Sequence, residues 1–253
     1  MTPTLSIASV TLREVSRRKV QVNLLLFGSL VIFASLMISK LTIGEQHRIL
    51  SDLGLSAATA IGTLIAVFVG SSLVSGDIER RVLLPVVAKP ASRTQYLLGR
   101  YLGLSASLLL NLVAMGVVLA LVLAIDAGSL RPLDRSLFAA LGMMGVQFVV
   151  VAAVAILFSS ITSTTLAAIF TLAVAIAGHL SGEVRAIWQG DAAWVATLVW
   201  YLVPNLGALS LNASVIYRTP PPPGTWLAAG YGLLYAATAL ALASFAFEKR
   251  DLR

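Results

Sequence analysis

Residues able to do chemistry are scarce in this sequence. Its two histidines, His47 and His179, lie far apart without the paired spacing of a metal site, and there is no cysteine. A metal centre, a disulfide framework and a cysteine nucleophile are thereby excluded. No Gly-x-x-x-x-Gly-Lys followed by Ser or Thr occurs, so the chain holds no loop that cradles a nucleotide phosphate. Two kinds of candidate remain. His179 is an ionisable group inside an apolar run, a functional candidate by default, and Asn23, Asn111 and Gln147 are amides of the type that bridge helices at roughly 0.6–2 kcal/mol each. The other is the mixed-charge stretch Asp77-Ile78-Glu79-Arg80-Arg81, followed by Lys89 and Arg93, which alternates charge with an apolar face.

The elements that position these residues follow from composition. The chain is 58% hydrophobic and 11% charged over 253 residues, where a soluble domain carries about 25% charge. Lipid is therefore its solvent. The net charge of +7 is assigned to loop basics facing anionic headgroups, and no nucleic-acid partner is expected. A crossing helix needs roughly 20 apolar residues, and the charge-free intervals predict six spans, over 20–42, 54–76, 101–125, 136–158, 163–181 and 225–247. The hydroxyl run Ser159-Ser160-Ile161-Thr162-Ser163-Thr164-Thr165 is the natural turn between the fourth and fifth. The first interval is too long for a signal peptide and has no small-residue cleavage site, so it is read as a retained span.

A further charge-free interval, Ala192–Tyr217, is interrupted by Pro204, Asn205, Gly207 and Asn212. Such residues break helical hydrogen bonding, which lipid penalises. The segment 182–224 is therefore expected to be external, with short helices dipping into the outer leaflet. Six spans put Arg13, Arg17, Arg18 and Lys19 on the same side as Arg80, Arg81, Lys89, Arg93, Lys249 and Arg250, so both termini are expected in the cytoplasm. Leu5, Ala8, Leu12 and Val15 recur at helical spacing and predict an interfacial helix over 1–19. Segment 77–100 becomes the one substantial cytoplasmic loop. The fold class is all-α and polytopic, in a single transmembrane domain. Acidic residues are nearly absent from the spans, so a carboxylate proton or sodium relay has nothing to run on.

The run Gly70-Ser71-Ser72-Leu73-Val74-Ser75-Gly76-Asp77-Ile78-Glu79-Arg80-Arg81 resembles the ABC-2 family of ABC transporter permeases. So do Lys89-Pro90-Ala91-Ser92-Arg93, Gly99-Arg100-Tyr101-Leu102-Gly103 and the ending Phe247-Glu248-Lys249-Arg250-Asp251-Leu252. The resemblance implies a second permease subunit, identical or related, and two ATP-binding subunits that supply ATP and Mg, with no cofactor in this chain. It implies a coupling helix at Asp77, Ile78, Glu79, Arg80 and Arg81, closed by Arg93 and Arg100. It also implies a route lined by the second and fifth spans, where Thr63, Ser71, Thr165, Thr171 and His179 lie, capped outside by the dipping segment. Pro85 departs from that pattern, because a proline inside a helix costs about 3 kcal/mol, and it ends the coupling helix near Leu84. The implied function is a non-enzymatic exporter subunit of the bacterial inner membrane. A non-transporting scaffold that binds an ATPase shares these features, whereas an intramembrane enzyme needs clustered carboxylates, or a serine with a base, that the spans do not present.

Overall fold

The computed structural model describes residues 3–39, 45–79, 92–128, 134–187 and 202–249, and among them every regular element is helical. Helix α1 spans Pro3–Ser16, α2 Lys19–Ser39, α3 Gln46–Glu79, α4 Arg93–Ala127, α5 Arg135–Ile161 and α6 Thr164–Ile187. A 3-10 turn at Gly207–Leu209 and the short α7, Asn212–Ile216, precede α8, Thr225–Lys249. Five of these, α3 to α6 and α8, are long and apolar enough to cross a bilayer, while the apolar stretch of α2, Leu24–Ile38, is shorter.

Helices α3 and α5 form the centre: 61% and 67% of their most apolar stretches are buried, against 28% for α6 and α8. Phe148 of α5 packs beneath Gly62 of α3, and Leu104, Leu108 and Leu119 of α4 close the same core. The outward faces carry large apolar side chains, Phe27 and Phe33 on α2, Val113 and Leu121 on α4, and Leu234 and Phe245 on α8. Water would penalise such faces, and lipid does not.

Local chemistry sets the helix ends. Ser92 starts α4 with a capping box: its hydroxyl accepts from Gln95 N at 3.2 Å, and the Gln95 side chain accepts from Ser92 N at 3.1 Å. Gly128 ends it at φ +58°, donating its N–H to Ile125 O. Asp134 caps α5 by accepting from Leu137 N at 3.1 Å. Between α5 and α6 the chain reverses at Thr162–Ser163, where Thr162 N donates to Phe158 O at 2.9 Å.

Helices α3, α4, α5 and α8 run past the predicted spans, while α2 is described to Ser39, short of 42, and α6 begins at Thr164. The segment 77–100, expected as a loop, is helical at both ends, since α3 continues to Glu79 and α4 begins at Arg93. Asp77 and Arg100, which mark span ends in the sequence, pair with each other within the fold, and helix continues through both. Arg80, Arg81, Pro85 and Lys89 lie outside the described residues. Likewise α3 begins at Gln46, ahead of 54, after Glu45 and Arg48 pair at 2.7 Å, and α6 extends past 181 to Ile187.

The described part of 182–224 satisfies its backbone on its neighbours. Leu206 N donates to Gly178 O of α6 at 3.0 Å. On the other side, Asn205 N donates to Tyr231 Oη at 3.1 Å, and Tyr235 Oη donates to Leu202 O at 2.9 Å, both tyrosines belonging to α8. Asn205 Oδ1 also accepts from Ala208 N at 3.0 Å. Asn205, one of the residues that forbid a straight helix, thus has its backbone N–H and side-chain oxygen paired with protein.

Candidate functional site

Helix α1 docks on α4 where α4 has no side chains. A Cβ at Gly99 would meet Ile7 Cβ at 2.7 Å, and one at Gly103 would meet the Ala8 carbonyl oxygen at 2.7 Å, so both positions require glycine for the two backbones to approach. The docked face is Thr4, Ile7, Ala8, Thr11 and Val15, with Thr11 and Val15 fully buried. The stripe expected from spacing is therefore split: Ala8 and Val15 face the protein, and Leu5 is exposed. The groove between the two glycines, and not apolarity alone, sets the rotation of α1.

Between those glycines Arg100 points into a cluster of charges. Its Nη1 donates to Glu14 Oε2 at 2.5 Å and its Nη2 donates to Asp77 Oδ2, which also accepts from Tyr96 Oη. Arg100 Nε donates to Tyr96 Oη at 3.2 Å. Glu14 is shared with Arg18, whose Nη2 donates to Glu14 Oε1 at 2.7 Å while its Nη1 donates to Ser72 Oγ at 2.6 Å. One guanidinium thus ties α1, the end of α3 and the start of α4, and a second ties α1 again to α3. Arginine suits this because its planar fork serves two carboxylates at once.

The last turn of α8 closes the assembly. Arg93 Nη1 donates to the carbonyl oxygens of Phe247 at 3.3 Å and Glu248 at 3.0 Å, capping the negative end of the helix, and Thr94 Oγ1 donates to Glu248 Oε1 at 3.1 Å. The Phe247 ring stacks on Tyr96 with centroids 6.1 Å apart. Sequence runs far apart in the chain, Gly76-Asp77, Ser92 to Gly103 and Phe247-Glu248, therefore meet at one end of the bundle. Of the predicted coupling residues, Asp77, Arg93 and Arg100 are brought together here; Ile78 and Glu79 lie in the last turn of α3, and Arg80 and Arg81 fall outside the described residues.

Glu14, Arg18 and Tyr96 are the members that sequence reasoning missed. The available signal was a lone carboxylate among the N-terminal basics, four residues before Arg18. Burial works to raise the Glu14 carboxyl, but hydrogen bonds and charges from Arg18 and Arg100 outweigh it and hold it below its usual 4.5. A carboxyl depressed in the folded state adds stability that is complete above its unfolded value and is lost as pH falls through the folded one. Acidification from pH 6 to pH 3 is accordingly expected to loosen α1. Hydrogen exchange over residues 3–16 is the measurement, and Glu14→Gln should exchange faster at pH 6 with a flatter pH response.

The predicted path residues divide. Thr63 of α3 and His179 of α6 line one cavity of about 510 Å³, together with Ser56, Thr59, Ser210 and Asn212. Gln147 Nε2 and His179 Nε2 lie 2.7 Å apart, and His179 Nδ1 donates to Ala175 O at 2.8 Å, so both ring nitrogens are engaged. Gln147 is thus a bridge from α5 to α6. Ser71, Thr165 and Thr171 lie elsewhere: Ser71 Oγ donates to Phe68 O, Thr171 Oγ1 donates to Ala167 O, and Thr165 is exposed in the first turn of α6. Beside Ser71, Ser159 Oγ accepts from Ser75 N at 2.9 Å and donates to Ser71 O at 2.7 Å, bridging two groups that a helix joins directly. Ser75 Oγ and Thr164 Oγ1 lie 2.8 Å apart, pinning α3 to α6. No group of metal-ligating side chains occurs among the described residues.

Compared with known protein families, residues 13–252 match the one described as ABC-2 family transporter protein. No curated protein matches the chain.

Proposed function

This chain belongs to the ABC-2 transporter family, and on that premise we propose that it is the permease of an exporter in the bacterial inner membrane. It works as one of two permease subunits, driven by two separate ATP-binding subunits that hold ATP and Mg. Six crossings with both ends in the cytoplasm fit the distribution of basic residues, α2 supplying the first crossing. Asp77, Ile78, Glu79, Arg80 and Arg81, with Arg93 and Arg100, form the contact that receives the ATPase stroke. Thr63 and His179 line the cargo route between α3 and α6, with Ser71, Thr165 and Thr171 along the same two helices, and the segment before α8 closes it outside.

The observation that carries this reading is the Arg100 cluster. A segment that transmits force must be anchored stiffly to the helices it moves, and here both ends of 80–91 are tied: Asp77 at the end of α3 and Arg100 in the second turn of α4 share an ion pair. A push on the segment between them then moves α3 and α4 as one body, with α1 and α8 attached through Glu14 and Arg93. Mixed charge at Glu79, Arg80 and Arg81 suits a steered, reversible protein contact.

The test is charge reversal in the segment itself. Glu79→Arg and Arg81→Glu are expected to insert and fold normally, yet to lose ATPase association or to hydrolyse ATP without cargo movement, with coupled turnover down by about tenfold or more, about 1.4 kcal/mol of coupling. Co-purification with the ATP-binding subunit, and its turnover in proteoliposomes, are the readouts. Normal values for both variants would overturn the assignment.

A further inference from the structure

Toward the end that carries Asp77, α3 runs through Gly70-Ser71-Ser72-Leu73-Val74-Ser75-Gly76, and the serines of this run bond the backbone of their own helix. Ser71 Oγ donates to Phe68 O at 3.2 Å, Ser72 Oγ to Val69 O at 3.0 Å and Ser75 Oγ to Ser71 O at 2.6 Å. Hydroxyls bonded back three or four residues compete with the ladder N–H groups for the same carbonyls. They loosen and bend a helix.

A fourth hydroxyl comes from outside the helix. Ser159, fully buried in the last turn of α5, donates to Ser71 O at 2.7 Å and accepts from Val74 N at 3.2 Å and Ser75 N at 2.9 Å. Its one proton and two lone pairs are all in use. Ser71 O also has two lone pairs and is reached by two hydroxyls, so the Ser75 N–H, which a regular helix delivers to that carbonyl, is given an acceptor on α5. Opening a helical turn in lipid strands backbone groups where no water can take them. This turn can open with Ser71 O, Val74 N and Ser75 N still bonded to Ser159.

The turn also lies between two differently anchored parts. On one side α3 is pressed against α5: a Cβ at Gly62 would meet Phe148 Cζ at 1.9 Å, and one at Gly70 would meet Ala155 Cβ at 2.7 Å. On the other side Asp77 is paired with Arg100 of α4. At the turn itself, Ser159 of α5 and Thr164 of α6, whose Oγ1 lies 2.8 Å from Ser75 Oγ, hold Ser75 from both arms of one hairpin.

We infer that residues 71–75 are a hinge in α3, with Ser159 supplying the bonds that the ladder gives up when the turn opens. The long part of α3 stays packed on α5, and the short part from Gly76 travels with the start of α4 and with α1. Side-chain insertion into the ladder is a recognised origin of helix bends, and hinges of a few residues at element ends are how packed helices accommodate a stroke. Bending is a property of the chain alone, while its being driven by ATP rests on the permease reading. The body tied by Asp77 and Arg100 is then the end of α3 together with α4. Ser159 is a positioning residue, acting through the backbone of α3.

The test uses the full chain in lipid nanodiscs, with spin labels on Ala60→Cys and Gly76→Cys and distances read by pulsed electron spin resonance. The chain has no native cysteine, Ala60 is exposed, and a Cβ at Gly76 meets nothing within 4 Å. The labels flank the turn at about 24 Å by the helical rise. The parent is expected to give a broad or two-peaked distribution. Ser159→Ala should narrow it to one peak, by about half, because the closed turn can complete its own ladder while the open one loses its partners. Thr59→Val removes a hydroxyl bonded to Leu55 O of the same helix, outside the turn, and should leave the distribution unchanged. Ser159→Cys, nearly the same size with a weaker donor and acceptor, should narrow it by less, and it carries the test if the alanine variant does not fold. A simple brace between α3 and α5 has the opposite sign. A distribution that broadens in Ser159→Ala, or one that is narrow in the parent and unchanged in both variants, overturns the hinge. In the complex with its ATP-binding subunits, trapping with ATP is expected to shift the parent distance and to leave that of Ser159→Ala in place. A two-peaked parent that ATP does not shift keeps the hinge and removes the stroke. A single narrow parent peak while the Glu79→Arg and Arg81→Glu proteins uncouple removes the hinge and leaves the permease.

Discussion

Replacing Arg100 by Met is expected to destabilise the protein by about 3–5 kcal/mol, the cost of stripping one partner from a buried ion pair, and to abolish coupled ATP turnover. The Arg100 side chain is 11% exposed and that of Asp77 is 14% exposed, so neither is rescued by water. The two carboxylates fare differently when the guanidinium goes. Glu14 keeps Arg18 at 2.7 Å, whereas among the described residues Asp77 keeps the Tyr96 hydroxyl alone. The stranded charge is therefore that of Asp77. The double variant Arg100→Met with Asp77→Asn should recover part of the lost stability, because a neutral amide costs less to bury than an unpaired carboxylate. Arg100→Lys should recover less than its charge suggests, since a single ammonium cannot fork between Glu14 and Asp77. Thermal retention of monodisperse protein in detergent measures the first effect and ATPase turnover in the assembled complex the second. If Arg100→Met melts like the parent, the cluster is a surface feature and the stiff anchor is lost as an explanation.

The same cluster explains what the sequence made legible and what it hid. Span positions are plain because a charge inside lipid is costly, and the intervals 54–76, 101–125, 136–158 and 225–247 fall within the helices found. Helix ends are hidden because the rule that charge ends a span fails where the charge is paired: Asp77 and Arg100 each mark the edge of a loop in the sequence, yet each sits inside a helix. The partner that makes this possible, Glu14, lies in a different helix, and no local pattern links positions 14, 77 and 100. The path candidates divide for a related reason. Thr63 and Thr171 are both threonines in apolar helices, but Thr171 bonds within its own helix and Thr63 does not. Rotamer and neighbour decide that difference, and the one-dimensional spacing of hydroxyls carries neither. The segment after α6 was readable as irregular from Pro204, Asn205 and Gly207, while its attachment to Gly178, Tyr231 and Tyr235 follows only from the fold.

Gly103→Ala tests whether α1 is a working part of this junction or a passenger. The added Cβ would sit 2.5 Å from Thr11 Cβ and 2.7 Å from the Ala8 carbonyl oxygen. Neither atom can swing away, since Cβ is fixed by the backbone that bears it and the carbonyl belongs to the backbone of α1, so relief requires the helix to move as a body. Overpacking of this kind costs about 1–3 kcal/mol. The helix is held as well by the Glu14 to Arg100 pair, which has a separation of 2.5 Å and stretches as α1 lifts, beside the Arg18 link from Glu14 to Ser72. Loss of packing and loss of the pair are therefore coupled, and the variant should lose ATPase coupling although no charged residue has been changed. Because the chain has no cysteine, docking can be read directly from one introduced pair, Ser16→Cys with Ser107→Cys, whose native hydroxyls lie 3.5 Å apart across α1 and α4. Oxidative cross-linking of that pair is expected to slow by about tenfold or more in the Gly103→Ala background, about 1.4 kcal/mol of docking. Undiminished cross-linking with normal turnover would mean that α1 is held by lipid and not by the glycine groove.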